Sequence, residues 1–224
     1  MSPTVFLVDD DHAVRDALTQ LLAGNGLRVQ AYASAEEFLA AYNPNRSGCL
    51  LLDMRLPGAS GAGLQAALKA RGSVLPIIFL TAHGNVTDTV RALKAGAFDF
   101  VEKPPEPAQL VERVRSALRV DSQQRRESAA RQDAMAKIAQ LTPREREIMP
   151  LVAAGCSCKE IGRRLGISHR TVELHRMRVM RKMGTQTVVA LASLVRVCES
   201  DVADHGASAA NASNSPRQAR TKHT

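Results

Sequence analysis

Short apolar runs alternate with longer amphipathic stretches over the first half of the chain, and this alternation predicts a regular series of strands and helices. The apolar runs predict strands at 4–8, 28–32, 49–53, 76–81 and 98–102. The stretches with helical periodicity predict helices at 13–24, 35–42, 62–71, 85–95 and 107–119. Strands that are nearly continuous in Val, Ile and Leu are typical of a sheet buried on both faces. The pattern therefore predicts an α/β doubly wound five-stranded parallel sheet.

The second half of the chain carries no strand pattern and divides into three parts. Residues 120–140 lack Pro and Gly and are mostly polar, which is compatible with a helical linker that continues the preceding helix. Residues 141–199 predict a small all-α domain. Residues 200–224 are small and polar, and we expect them to be a disordered tail. The predicted sheet domain then occupies residues 1–119.

Capping signals mark the helices of the predicted all-α domain. Ser157 and Glu160 form a capping box for one helix, and Gly166 ends it. Ser168 then caps a longer basic helix. A short helix, a glycine-containing turn and a longer basic helix are typical of a helix-turn-helix, in which the second helix enters the major groove of DNA.

The charge of the chain is unevenly distributed between its two halves. The net charge is +8; residues 1–119 hold 12 basic and 12 acidic side chains, whereas residues 141–199 hold 11 and 5. This asymmetry favours contact of the second half alone with a polyanion such as double-stranded DNA. We expect neither a membrane span nor a signal peptide, because no apolar run is long enough and the first residues lack a basic segment. Four cysteines at irregular spacing indicate reduced thiols and a cytoplasmic location.

Acidic, hydroxyl and amine side chains follow the predicted strands of the first domain. Asp9 and Asp10 follow the first strand, Asp53 ends the third, Thr81 ends the fourth and Lys103 follows the fifth. Because the carboxyl ends of parallel strands meet at one crevice, we expect these side chains to converge. Three carboxylates need a cation, and an all-oxygen ligand set suits Mg²⁺. A lysine and a hydroxyl nearby would serve a phosphoryl group, so the residues point to acyl-phosphate chemistry on an aspartate.

Four sequence segments together resemble the flavodoxin-like receiver domain of two-component response regulators. They are VDDD at 8–11, LLDMRLPGASG at 51–61, LTAHG at 80–84 and VEKP at 101–104. The resemblance implies that Asp53 is the phosphoacceptor and that Asp9, Asp10, Asp53 and the backbone carbonyl of Arg55 hold Mg²⁺. It also implies that Lys103 pairs with the phosphoryl group.

The same resemblance implies a route from the phosphorylated site to the rest of the protein. In receivers the hydroxyl that corresponds to Thr81 follows the phosphoryl group, and an aromatic residue three positions before the lysine turns inward. Here that aromatic residue is Phe100, for which an ordinary place in the core is an equal alternative. His83, next in the same loop, is expected to be exposed. A cognate sensor histidine kinase is the implied donor, and a phosphorylation-dependent homodimer is the implied product.

The second half resembles the LuxR/FixJ-type helix-turn-helix domain through LTPRERE, KEIGRRLGIS and RTVELHR. A helical wheel places Val172, Val179 and Met183 on an inward face of the long basic helix. The residues predicted to bind DNA are Lys159, Ser168, Arg170, Thr171, Glu173, Leu174, Met177, Arg178, Arg181 and Lys182. Among them, Leu174 and Met177 suit thymine methyl groups and Glu173 suits cytosine N4. Pro150, inside the first helix of this domain, is expected to kink that helix.

The leading hypothesis is a phosphorylation-controlled transcription regulator without enzymatic turnover, and two alternatives stay open. One is a regulator that binds DNA independently of phosphorylation. The other is a phosphohydrolase that works through an aspartyl phosphate. Such enzymes carry a second Asp two residues after the nucleophile, whereas this chain has Arg55 there.

Overall fold

A computed structural model describes residues 2–58, 60–82, 86–196 and 198 of the chain, the side chains of residues 86–89 excepted. The chain divides into two compact units between Arg126 and Glu127, and each unit is a body of its own. The predicted disordered tail at 200–224 and the predicted exposed position of His83 lie outside the described residues. Among the helices that are described, none is long and apolar enough to cross a membrane.

The first unit alternates strands and helices as the sequence predicts. Its elements in chain order are β1 (Thr4–Val8), α1 (His12–Gly24), β2 (Arg28–Tyr32), α2 (Ala35–Ala41), β3 (Gly48–Asp53), α3 (Gly61–Ala70), β4 (Ile77–Thr81), α4 (Val86–Lys94) and β5 (Asp99–Glu102). A further helix, α5 (Pro107–Ala139), begins in this unit. The strands pair in parallel in the order β2-β1-β3-β4-β5, which confirms the predicted doubly wound sheet.

Alternate residues of β1, β3 and β4 enter two separate apolar cores, one on each face of the sheet. Phe6 and Leu52 pack in the core that holds Phe38 of α2 and side chains of α3. Leu7 and Leu51 pack in the other core with residues of α1 and α5. Burial of each such Leu or Phe side chain stabilises the fold by about 1.5–3 kcal/mol. Both faces of the central strands are thus covered, and the polar residues Asp53 and Thr81 stand at the ends of β3 and β4.

The helix α5 is longer than the helix expected at 107–119, because the linker predicted at 120–140 continues it for most of its length. Ala117 and Leu118 are buried in the first unit, and Asp121 is buried there as well. Residues 126–130 are all exposed, and Ala134 is buried again in the second unit. The absence of Pro and Gly from this stretch permits the helix to continue.

The second unit is built from helices around one core. These helices are α6 (Pro143–Ala153), α7 (Cys158–Leu165), α8 (His169–Met183) and α9, which is described over residues 188–196. Ser157 and Glu160 form the predicted capping box of α7, and Gly166 ends this helix in the left-handed conformation at φ 66°. Pro150 lies within α6, which continues past it to Ala153.

The core of the second unit confirms the predicted inward face of the long basic helix. Val172, Val179 and Met183 of α8 are fully buried, and they pack with Ile148 of α6 and Ile161 of α7. Because this face of α8 is used for packing, its opposite face is left to solvent.

Candidate functional site

The predicted acidic site forms at the carboxyl ends of the strands, where β1 and β3 lie side by side. Lys103 bridges two carboxylates there: its Nζ donates to Asp9 Oδ2 at 2.6 Å and to Asp53 Oδ2 at 2.7 Å. The backbone N–H of Lys103 also donates to the carbonyl of Thr81 at 2.8 Å, which joins the ends of β4 and β5. The structure thus brings together side chains that are up to 94 residues apart in sequence.

Each bridged carboxylate uses its second oxygen to accept a backbone N–H. Asp9 Oδ1 accepts from the N–H of Asp11 at 3.0 Å, and Asp53 Oδ1 accepts from the N–H of Arg55 at 3.0 Å. The two side chains differ in access to solvent, because that of Asp9 is fully buried while that of Asp53 is 12% exposed. Asp53 is therefore the member of this pair that an incoming group reaches.

The charges of the site are only partly compensated by the protein. Burial raises the pKa of Asp9 above its ordinary value, although the hydrogen bond from Lys103 acts in the opposite direction. Burial acts to lower the pKa of Lys103, but its hydrogen bonds to Asp53 and Asp9 outweigh this and raise the pKa. One lysine thus faces several acidic groups and stays protonated near neutral pH.

Asp10 completes a cluster of oxygen ligands beside this lysine. One carboxylate oxygen from each of Asp9, Asp10 and Asp53 lies within 4.8 Å of the others, and Asp10 is exposed. Carboxylate oxygens are hard ligands of the kind that Mg²⁺ takes in proteins, and the cluster carries more negative charge than Lys103 compensates. The donor set therefore fits a divalent cation. The predicted ligation by the backbone carbonyl of Arg55 stays a prediction.

The loop after Asp53 depends on two glycines. Gly58 has a φ of 83°, which favours a residue without a side chain. A Cβ at Gly61 would lie 2.5 Å from the carbonyl oxygen of Asp53 and 3.0 Å from the Phe79 ring. Gly61 thus lets the start of α3 approach the backbone of Asp53 closely.

Thr81 and Phe100 are the predicted switch residues. Thr81 ends β4, whereas Phe100 is the second residue of β5 and pairs with Phe79 of β4. The hydroxyl of Thr81 is buried and donates to the carbonyl of Ala82 at 2.9 Å. Phe100 is 39% exposed, so its side chain is partly outside the core. The peptide bond between Lys103 and Pro104 is cis.

Asp11 and Arg15 support the site through contacts that the sequence pattern did not specify. Asp11 is the N-cap of α1, and its carboxylate accepts from the N–H groups of Ala13 and Val14. Arg15, one turn later, donates to the carbonyl oxygen of Asp9 at 2.7 Å. An Asp directly before a predicted helix is a recognisable capping signal. The contact of Arg15 carries no such signal, because it follows from the orientation of α1.

The exposed face of α8 holds most of the residues predicted to bind DNA. Leu174 is 41% exposed and Met177 is 60% exposed, which is high for large apolar side chains. They line one open cleft, whose other residues are Ser168, Arg170, Thr171 and Glu173. Arg178 and Arg181 of the same helix are exposed, as is Lys159 of α7. The face therefore combines two exposed apolar side chains with several basic ones.

Lys182 and Ser168, both predicted to bind DNA, have partners within the domain. Lys182 Nζ donates to Glu145 Oε2 at 2.6 Å and to the carbonyl of Gln140 at 3.1 Å. Ser168 caps α8 by accepting from the N–H of Thr171 at 3.1 Å. Glu145 is 2% exposed, and its hydrogen bonds from Lys182 and from the N–H of Thr142 lower its pKa to about 2. A role of Lys182 or Ser168 in DNA binding stays a prediction.

Comparison with known protein families matches the two units separately. Residues 5–115 match the response regulator receiver domain, and residues 139–195 match the luxR family of bacterial regulatory proteins.

Relatives match both parts in a single chain. The transcriptional regulatory protein TdiR of Thauera aromatica is 42% identical over 203 residues, which cover 91% of this chain and 89% of the relative. The C4-dicarboxylate transport transcriptional regulatory protein DctR of Rhodobacter capsulatus is 44% identical over 196 residues, 87% of this chain and all of the relative.

Solved structures resemble the chain over nearly the same length. The response regulator StyR is 39% identical with a TM-score of 0.79, and the match covers 88% of this chain and 99% of that one. Full-length FixJ from B. japonicum is 38% identical with a TM-score of 0.57, over 88% of this chain and 98% of that one.

Proposed function

Because the chain belongs to the two-component response regulators that join a receiver domain to a LuxR-type DNA-binding domain, we propose that Asp53 is the residue that accepts the phosphoryl group. Proteins of this family regulate transcription under the control of phosphorylation. A sensor kinase is the partner that the receiver domain implies, and DNA is the partner that the second domain implies.

One observation supports Asp53 in particular. Asp53 and Asp9 share the amine of Lys103, but only the side chain of Asp53 is partly open to solvent. A carboxylate that attacks phosphorus must reach the incoming group, and the phosphoryl oxygens must then meet a cation. Asp53 meets both requirements, while the buried Asp9 is placed to contribute its charge.

The chemistry follows from the groups that surround Asp53. A phosphohistidine of the cognate histidine kinase is the proposed donor. A carboxylate oxygen of Asp53 forms the new P–O bond as the P–N bond breaks, and the released imidazole takes up a proton. The amine of Lys103 then turns from Asp53 Oδ2 to a phosphoryl oxygen. The Thr81 hydroxyl leaves the Ala82 carbonyl and donates to a second phosphoryl oxygen.

The carboxylates of Asp9, Asp10 and Asp53 would hold Mg²⁺, with the backbone carbonyl of Arg55 as a further ligand. When bound, the ion neutralises part of the charge on the phosphoryl oxygens. The chain itself supplies the negative cluster and keeps Lys103 protonated beside it.

We further propose that phosphorylation promotes a homodimer through α4 and β5. Val90 and Leu93 of α4 are 42% and 39% exposed, and Phe100 of β5 is 39% exposed. Movement of the Thr81 hydroxyl toward the phosphoryl group would open space at the end of β4, into which Phe100 turns. This would reshape an apolar surface that two copies of the chain can bury.

DNA binding is proposed to use the exposed face of α8. Its exposed Leu174 and Met177 suit thymine methyl groups, and Glu173 suits the N4 amine of cytosine. Arg170, Thr171, Arg178 and Arg181, with Lys159 from α7, suit phosphates. Paired domains in a dimer would then bind a two-fold symmetric site.

Substitution of Asp53 tests this proposal directly. Beryllofluoride imitates an acyl phosphate, so with Mg²⁺ it should dimerise the full chain and increase its affinity for selected DNA fragments. Asp53→Asn should show neither response and should lose acid-labile phosphate, while keeping the circular dichroism spectrum and basal DNA binding of the wild type. Acid-labile label retained by Asp53→Asn would contradict the assignment of Asp53.

A further inference from the structure

A second buried carboxylate of the receiver lies far from the phosphoacceptor site, at the opposite end of β3. Asp121 of α5 is fully buried, and its Oδ2 accepts from Ser47 Oγ at 2.6 Å and from the N–H of Gly48 at 2.9 Å. Its Oδ1 accepts from Arg125 Nε at 2.8 Å. A buried carboxylate is costly unless it is paired and hydrogen-bonded, and here both oxygens have donors.

Arg125 extends this contact to the loop before β3. Its Nη1 donates to the carbonyl of Pro44 at 3.0 Å, and its Nη2 donates to the carbonyl of Arg46 at 2.7 Å. One guanidinium therefore joins a carboxylate of α5 to two backbone carbonyls about 80 residues earlier in sequence. We call the contacts of Asp121 and Arg125 with residues 44–48 the α5 clamp.

The loop held by the clamp is itself fixed to β1. The N–H of Thr4 donates to the carbonyl of Ser47 at 3.0 Å, and the Arg46 guanidinium lies 5.0 Å from the centre of the Phe6 ring. A Cβ at Gly48 would lie 2.0 Å from the carbonyl oxygen of Thr4, so the two strands are in close contact there. The clamp consequently joins α5 to the central strands, not to a loose surface loop.

The contacts of α5 change just after the clamp. The compact first unit ends at Arg126, and residues 126–130 are exposed without exception. Asp121 and Arg125 of the clamp lie beyond residue 115, where the receiver-family match ends. They also lie beyond residue 119, the boundary expected from the sequence. Asp121 and Arg125 therefore make hydrogen bonds within the receiver, although the sequence around them is that of a linker.

We propose that Asp121 and Arg125 fix the first part of the linker helix to the receiver, so that the joint toward the DNA-binding domain begins after Arg126. β3 carries Asp53 at one end and the clamped Gly48 at the other. A change at the phosphoacceptor is then transmitted through β3 and the clamp to the middle of α5. Asp121 and Arg125 are positioning residues for the phosphorylation response, which rests on the proposed role of Asp53.

Arg125→Ala in the full chain tests this proposal, with Arg126→Ala as the matched control, because Arg126 is the exposed neighbour in the same helix. Beryllofluoride with Mg²⁺ supplies the activated state. We expect Arg125→Ala to bind DNA like the wild type without beryllofluoride and to load beryllofluoride at Asp53 with unchanged affinity. The gain in DNA affinity on activation should fall by about fivefold or more, the range of a lost allosteric coupling. Arg126→Ala should keep the full gain.

Hydrogen exchange locates the joint independently of DNA binding. In the wild type, amides of residues 119–125 should exchange slowly and those of 127–131 faster. In Arg125→Ala the slow segment should end before residue 119. Asp121→Asn, which keeps the shape of the side chain, should have the same effects in a weaker form.

Two outcomes would overturn the proposal. One is equally fast exchange of residues 119–125 and 127–131 in the wild type. The other is a full gain in DNA affinity in Arg125→Ala despite faster exchange at residues 119–125. Failure of the wild type to bind beryllofluoride at Asp53 would instead contradict the proposed role of Asp53.

Discussion

Each unit of the protein contains a lysine paired with a buried carboxylate, and the two pairs are built for different purposes. In the second unit, Glu145 accepts from Lys182 and from the N–H of Thr142, and its pKa falls to about 2. In the receiver, Lys103 is shared between Asp9 and Asp53, and the pKa of Asp9 is raised. The protein supplies Glu145 with the donors that its charge needs, whereas the carboxylates around Lys103 are left with excess negative charge.

This difference separates a structural ion pair from a reactive one. Glu145 has what it needs to stay ionised, so its contacts hold α6 against α8. The receiver carboxylates are crowded around a single amine, and a ligand with its own positive charge or a phosphoryl group can rearrange them. In both units the lysine amine lies 2.6–2.7 Å from its carboxylate oxygens, so distance alone would not distinguish them.

Removal of the reactive lysine gives the largest expected effect. Lys103→Ala leaves the phosphoryl oxygens without their protein cation, and we expect phosphorylation of Asp53 by a small acyl-phosphate donor to slow by about 100-fold. Lys182→Ala is the matched control and should leave that rate unchanged. The rate of acid-labile phosphate formation measures both variants. A similar slowing in Lys182→Ala would show that the comparison between the two lysines is wrong.

Removal of the structural carboxylate should act on stability alone. Glu145→Gln keeps the shape of the side chain but weakens the contact with Lys182, and we expect the free energy of unfolding of the second unit to fall by about 1–3 kcal/mol. Urea unfolding, followed through methyl resonances of Val172 and Val179, measures this unit separately. The phosphorylation rate of the same variant should equal that of the wild type.

The pH dependence of unfolding tests the structural role of Glu145. Because the pKa of Glu145 is about 2 in the fold against an ordinary 4.5, the unfolded chain binds more protons between these values. The stabilisation is thus complete above about pH 4.5 and is lost as the pH falls toward 2. The difference in unfolding free energy between wild type and Glu145→Gln should shrink over this window. Carboxylates titrate over roughly pH 6 to pH 3, and a difference that stays constant over that range would contradict this assignment of Glu145.

The smallest expected effect concerns DNA. Arg178→Ala should lower DNA affinity for all sequences alike and reduce the salt dependence of binding by about one phosphate contact. Lys182→Ala should change this salt dependence less, since its amine already contacts Glu145 and Gln140. Binding titrations at several salt concentrations measure the two slopes. A larger change of slope in Lys182→Ala would indicate that Lys182 leaves Glu145 for a phosphate.

The strand ends of the receiver could be predicted residue by residue because their chemistry follows a simple geometric rule. Each predicted strand agrees with the observed one to within one residue at either end, and Asp9, Asp53 and Lys103 meet as expected. The contact of Arg15 with Asp9 was missed, since it depends on how α1 packs.

The linker and the second unit were predicted less completely. A polar segment without Pro or Gly indicates a helix, but nothing in that pattern shows that Asp121 is buried or that Arg125 reaches residues 44 and 46. The inward face of α8 could be predicted from the helical periodicity of its apolar residues, and it is buried as expected. The engagement of Lys182 by Glu145 was missed, because a basic residue on an exposed helix gives no sign of a partner on another helix.

Gly61 belongs to the proposed phosphoacceptor site although it carries no charge. The position carries no reactive group, yet one added methyl group would press on the carbonyl of Asp53 and on the Phe79 ring. Random mutagenesis screened for a lost phosphorylation response should therefore recover Gly61 variants beside those of Asp53 and Lys103. Mutations that impair the site are thus expected at more positions than those that carry reactive groups, because the site also requires the absence of a side chain at Gly61.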